Sequence, residues 1–183
     1  MSEEYLIAQA APTLAGLKTG SLFPCRYASY SALLREIRAL NRSLSGKGLC
    51  LIPLRHRDGC ALLYLYRPAR LERDLSGAEA AALLEREGYD HRSQARCLAE
   101  LMRRLQCFSD FPHEIGLFLS YPPEDVRGFI EHRGRNCKCV GCWKVYGDER
   151  RARELFRAYK QCTDSYRRRV ALGTPIERLA VAD

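Results

Sequence analysis

The sequence predicts an α+β fold, with a small antiparallel sheet containing a β-hairpin in the N-terminal half and a helical C-terminal half. Two patterns carry this expectation. Residues 49–57 and 60–67 flank Asp58-Gly59, a dipeptide that supplies the two positive-φ residues of a type I′ hairpin turn. Beyond the hairpin, apolar residues recur at spacings of three and four, the period of a helix. A chain of 183 residues, 46% of them hydrophobic, is long enough to bury one proper core, so residues 1–183 are expected to form a single domain.

The elements follow in order. The segment APTLAGLKTGSLF at residues 11–23 mixes Thr, Leu and Phe with Gly16 and Gly20, and reads as an irregular or bulged strand. A helix from about Ser31 carries Leu33, Ile37, Leu40 and Leu44 in one row. In the hairpin, a two-residue loop pairs Leu54 with Leu63 and Ile52 with Leu65. Pro53 lacks an N–H and belongs on an unpaired side, so the second strand, CALLYLY, is the more central one. Pro68 ends the hairpin, and Ser76-Gly77-Ala78-Glu79 is a capping-box pattern opening a helix to about Glu87. A helix over 93–105 buries Leu98, Leu101, Met102 and Leu105. Asp110 caps a helix beginning near Phe111 or Pro112. Pro122-Pro123 ends that helix and starts another, whose Val126, Phe129 and Ile130 face inward until Gly134. Asp148 caps a long helix to about Leu172, with a stripe of Leu155, Tyr159, Cys162, Tyr166 and Val170.

No run approaches the roughly 20 apolar residues that span a bilayer, and the start MSEEYLIAQAAP lacks a basic leader region. A cytoplasmic location without membrane contact is expected. In that compartment the nine cysteines read as reduced thiols, metal ligands or small buried hydrophobes rather than a disulfide framework. Residues 127–183 carry 14 Lys and Arg against 7 Asp and Glu, whereas residues 1–126 carry 16 against 15. A basic C-terminal third suits phosphates, an anionic cofactor or an acidic protein. A solvated, arginine-rich helix face is the simpler explanation of it and the one expected, and nucleic acid is not the expected partner.

Residues 111–147 concentrate the chemically capable side chains. Cys137, Cys139 and Cys142 have C-x-C-x-x-C spacing around Gly141, and Cys162, or alternatively His132, completes a shell for zinc or an iron–sulfur cluster. This is half of the double C-x-x-C pattern of a zinc ribbon, and Cys162 also fits its apolar stripe as a small hydrophobe. Arg133, Arg135, Lys138 and Lys144 surround the thiols, a setting that favours redox reactivity. His113-Glu114 at a helix start suits an acid/base pair or an anion site, although the helix dipole alone favours a glutamate there. Trp143, Lys144 and Tyr146 can stack a planar ligand with Lys144 on a phosphate, or can lay an edge strand on a core. Lys18, in GLKTGS, can reach a phosphate, but the Walker glycine spacing is absent. The H-E-x-x-H helix, the G-x-S-x-G elbow, the Rossmann fingerprint and paired catalytic carboxylates are absent too.

The strings PTLAGLKTGSLF, YRPARLERDL, FPHEIGLFLSYPPEDVRGFI and WKVYGDERRARELF, in that order, resemble the bacterial family called domain of unknown function 3793, found mainly in anaerobic Gram-positive bacteria. The resemblance runs over nearly the whole chain and implies no established activity. Proximity of family members to flavodoxin or iron-uptake genes implies a redox or iron-linked role and a flavodoxin-type partner. Two departures stand out: Gln9 and Ala10 occupy the place of a His-Cys pair common before PTLAG, and many members lack the cysteines at 137, 139 and 142. The expectation is a ligand-binding or redox and iron-linked accessory protein, with a small-molecule or anionic ligand held around His113, Glu114, Trp143, Lys144, Tyr146 and Lys18. Its rivals are a small oxidoreductase carrying flavin, haem or an iron–sulfur cluster, and a zinc-stapled interaction or nucleic-acid-binding module.

Overall fold

The computed structural model describes residues 1–107 and 111–182 and divides into two compact units, 1–69 with 159–183 and 70–158. The helix cap expected at Asp110 lies outside the described residues. The α+β architecture is the one the sequence predicts: an antiparallel three-stranded sheet lies in the N-terminal half and helices dominate the C-terminal half.

The first unit opens with helix α1 (Glu3–Leu14), where the sequence suggests no helix and an irregular strand from residue 11. Ser2 caps it by accepting from the Tyr5 N–H, and Glu3 and Glu4 meet the positive end of the helix dipole. Leu6, Ile7, Ala10, Ala11 and Leu14 are fully buried, a helical stripe that alanine renders faint in sequence. Gly16, at φ 73°, lies in the left-handed region just past the helix, so the strand β1 (Gly20–Arg26) begins late.

Strands β2 (Cys50–Arg57) and β3 (Cys60–Tyr66) form the expected hairpin, with Asp58 and Gly59 both at positive φ. The strand order β1-β3-β2 places β3 at the centre. The register differs from the simple expectation. Arg57 to Arg55 pair as a two-residue loop dictates, but the ladder then slips, so Pro53 faces Leu63 and Leu51 faces Leu65. The missing N–H of Pro53 makes this the weak point of the ladder, and the bulge leaves Leu51 and Leu54 both buried despite their odd spacing. Helix α2 (Tyr30–Leu44) lays Leu33, Ile37 and Leu44 on the core. Its Asn41 amide donates to the Leu51 carbonyl while its carbonyl oxygen accepts from the Leu51 N–H, closing part of the exposed edge of β2.

Arg67 clamps this unit. It is fully buried, and its guanidinium donates to the carbonyls of Thr13, Leu14, Lys47 and Val181. Thr13 and Leu14 end α1, where carbonyls lack helical partners and the dipole is negative, so a buried cation is favoured there. Ile176 and Leu179 of the short helix α9 (Ile176–Leu179) join the same core.

The second unit is helical apart from one small hairpin. It contains α4 (Ala78–Arg86), α5 (Gln94–Cys107), the single turn α6 (Ile115–Phe118) and α7 (Pro123–Glu131), with β4 (Cys139–Val140) paired to β5 (Lys144–Val145). Helix α3 (Pro68–Ser76) precedes them, and Ser76 is its last residue. The Ser76 hydroxyl donates back to the Arg73 carbonyl, and Gly77 holds the N-cap position of α4 without a side-chain bond, so the capping-box reading is corrected. The helix expected from Phe111 to Tyr121 shrinks to α6. Helix α8 (Glu149–Ala171) starts as expected at Asp148, whose carboxylate accepts from the Arg151 N–H.

Arg67→Met should lower the stability of the protein by on the order of 3 kcal/mol, because four carbonyls, two of them in fully buried bonds, lose a charged donor. Urea unfolding followed by circular dichroism measures this directly.

Candidate functional site

The second unit contains a cavity of about 360 Å³ between α6, α7 and the β4–β5 hairpin. Its walls are largely apolar: Ile115, Gly116 and Leu119 from the α6 region, Val126 and Phe129 from α7, and Val140, Gly141 and Trp143 from the hairpin. Phe111, exposed at 44%, and Val140, exposed at 68%, flank its mouth. The polar residues of the lining are His113, Tyr121, Asp125 and Lys144.

Asp125 builds this site. Pro122-Pro123 starts α7, which puts Asp125 in the first helical turn, near the positive end of the dipole. The carboxylate is buried and turned onto the hairpin. One oxygen accepts from the Trp143 indole N–H at 2.7 Å, and the other accepts from the backbone N–H groups of Tyr146 and Gly147, both at 2.7 Å. Two-residue strands are too short to stand alone, so these three bonds hold the hairpin that their own ladder cannot.

Packing completes the anchor. The Trp143 ring stacks on Tyr121 at 4.7 Å and meets Phe156 of α8 edge-on at 4.5 Å. A Cβ on Gly141 would fall 2.1 Å from the Phe156 ring, and one on Gly128 would fall 2.4 Å from Tyr146. These two glycines admit aromatic rings against the backbone. The bend at Gly141 therefore serves Phe156 contact.

His113 and Lys144 gather around the Phe129 ring. The imidazole lies 4.7 Å from the ring centroid, and the Lys144 Nζ lies 5.7 Å from it. Lys144 also donates to the Gly134 carbonyl at 2.7 Å, and neither side chain has a carboxylate partner among the described residues.

Glu114, although adjacent to His113, takes a different direction. It is buried and accepts from the Tyr89 hydroxyl at 2.7 Å and from Arg104 at 3.0 Å. Arg104 continues to Glu100 and to the Glu87 carbonyl, and covers the Tyr89 ring. Burial and the neighbouring Glu114 carboxylate push the Tyr89 hydroxyl well above its ordinary range. Arg103, then Arg104, hold the Glu100 carboxyl down at about 2. This network ties α5 to the turn before α6 and leaves Glu114 outside the cavity lining.

Of the residues named from sequence, His113, Trp143 and Lys144 line one cavity, with Trp143 contributing an edge of a ring already packed on two sides. The Tyr146 ring stacks on His132 at 5.6 Å, and its buried hydroxyl has no hydrogen-bond partner among the described residues. Lys18 sits half-buried in the first unit, in the loop after α1. Cys137, Cys139 and Cys142 belong to the second unit, with Cys139 in β4 and Cys142 exposed in the turn. Cys162 belongs to the first unit, packed against its core, and burial raises its thiol pKa. Among the described residues no group of three or more His, Cys, Asp or Glu side chains is arranged to hold a metal ion. Asp125, Tyr121, Phe129 and Phe156 are the residues that sequence reasoning missed as site builders. The one available signal was an acid two residues after a double proline, upstream of the lone tryptophan.

Asp125→Asn replaces an acceptor oxygen with a donor facing N–H groups. It should cost about 2–3 kcal/mol and shift the Trp143 emission to longer wavelength as the indole loses its buried partner. Steady-state fluorescence of the single tryptophan reads both the shift and, in a denaturant series, the stability.

Neither a curated protein nor a solved structure matches the chain. No helix among the described residues is long and apolar enough to cross a membrane. One family model, described as a protein of unknown function, DUF3793, matches residues 6–180 and so spans both units. The chain belongs to that family.

Proposed function

We propose that this protein is a small-molecule-binding protein whose ligand occupies the cavity between α6, α7 and the β4–β5 hairpin. The observation that carries this reading is the combination of a 360 Å³ apolar hollow with a small set of polar groups at its edge. Ligand sites have this composition: apolar walls supply the driving force, and a few placed polar groups fix orientation. The volume falls at the lower end of the range for small-molecule sites, which suits a compact body of one or two rings. The walls are fixed by Asp125, by the stacked Trp143 and by glycines pressed against aromatic rings, so little ordering cost accompanies binding.

The thiols adjoin this site in sequence through Cys139 and Cys142, which flank the lining residues Val140 and Gly141. A binding role needs no chemistry from them.

Naphthalene-bearing probes titrated into the full chain by calorimetry should bind saturably, with a dissociation constant on the order of 0.1–1 mM. Val140→Asp, at the exposed mouth, should weaken that binding at least tenfold while leaving the thermal midpoint unchanged. Absence of saturable binding in the wild type, or full affinity in Val140→Asp, would contradict the assignment.

A further inference from the structure

We infer that the ligand is an anion: an apolar, ring-sized body carrying one carboxylate or a comparable acidic head, held by Lys144 and His113 at the cavity edge. The inference rests on the binding reading above and specifies its chemistry.

The argument starts from the charged groups that line the cavity. Asp125 is the one acidic residue in the lining, and both of its oxygens are engaged by three N–H donors at the N-terminus of α7. Its charge is thus offset locally by the donors and the dipole, and with 2% exposure it offers little surface to a ligand. Lys144 is different. Its ammonium has three donors, of which one is used on the Gly134 carbonyl. It is half-buried beside Phe129, partly removed from water and without a carboxylate partner among the described residues. His113, exposed beside the same Phe129 ring, adds ring nitrogens with no hydrogen-bond partner of their own among the described residues.

A neutral apolar ligand would leave these donors with no role and would partly desolvate the ammonium. An organic cation would be repelled by Lys144. An anion supplies an acceptor to both groups, and the charge-assisted bond is stronger in a largely apolar surround than in water. The apolar walls then select for the body: Ile115, Leu119 and Val126 give aliphatic surface, and Phe129 and Tyr121 add aromatic surface. Simple phosphate or sulfate would use the ammonium and the imidazole donor and leave the walls empty, so an amphipathic acid fits better than an inorganic anion.

The test compares two probes of the same shape, 2-naphthoate and 2-naphthylmethanol, by calorimetry on the full chain. The wild type should bind the acid roughly tenfold more tightly than the alcohol, and raising the salt concentration should weaken the acid alone. Lys144→Gln keeps a donor for the Gly134 carbonyl and removes the charge. It should erase most of the difference by weakening the acid and leaving the alcohol unchanged. His113→Phe keeps the ring contact with Phe129 and should narrow the gap further. Equal affinities for acid and alcohol in the wild type overturn the anion assignment while leaving the cavity reading intact. An acid preference that survives both substitutions overturns the roles of Lys144 and His113. Failure of both probes to bind removes the cavity reading and this inference with it.

Discussion

A single buried carboxylate organises the second unit. Asp125 gathers an indole N–H and two backbone N–H groups from a hairpin whose strands are two residues each. Burying a carboxylate is costly unless its acceptors are filled, and here they are filled by the groups that would otherwise be left unpaired in the loop after β5. The position of Asp125 in the first turn of α7 adds the helix dipole to the same end. Removing any one of the three donors weakens the case for burying the charge, so the contacts support one another.

The cavity is a consequence of this arrangement. Holding the hairpin against α7 puts Trp143 on Tyr121 and leaves the space between Val140, Phe129 and Ile115 unfilled. The Glu114–Arg104–Tyr89 network secures the opposite wall by fixing the turn that leads into α6. His113 and Glu114 thus divide the work of one dipeptide: the carboxylate faces a structural network, and the imidazole faces the opening. In the first unit Arg67 plays the equivalent part with the opposite charge, donating to carbonyls at the end of α1 and near the C-terminus.

Local patterns were legible in the sequence and long-range pairings were not. Asp58-Gly59 announced the hairpin, Asp148 announced α8, and the apolar run CALLYLY announced a central strand, because each signal lies within a few residues of its effect. The strand register failed at Pro53, where the demand to bury both Leu51 and Leu54 outweighed the simple ladder. Helix α1 escaped notice because the middle of its buried face is alanine (Ala10 and Ala11), which contrasts little with its surroundings. At the site, His113, Trp143 and Lys144 stood out as chemically capable residues, and the cavity brings them together. Asp125 did not stand out, since an acid in a first helical turn is explained by the dipole alone. Its bond to Trp143 spans 18 residues and leaves no periodic trace. The cysteines attracted attention by spacing, whereas their surroundings are set by the hairpin and, for Cys162, by an apolar core.

Hydrogen exchange of the Trp143 indole N–H, measured by NMR together with the amides of Tyr146 and Gly147, tests the organising role of Asp125 most directly. The chain has one tryptophan, so the indole signal is unambiguous. Three donors on one carboxylate should be protected together and exchange through a common opening, with similar rates across temperature. An indole proton that exchanges freely while the two amides stay protected would show that the hairpin is held by other contacts, and the cavity wall would need a different explanation.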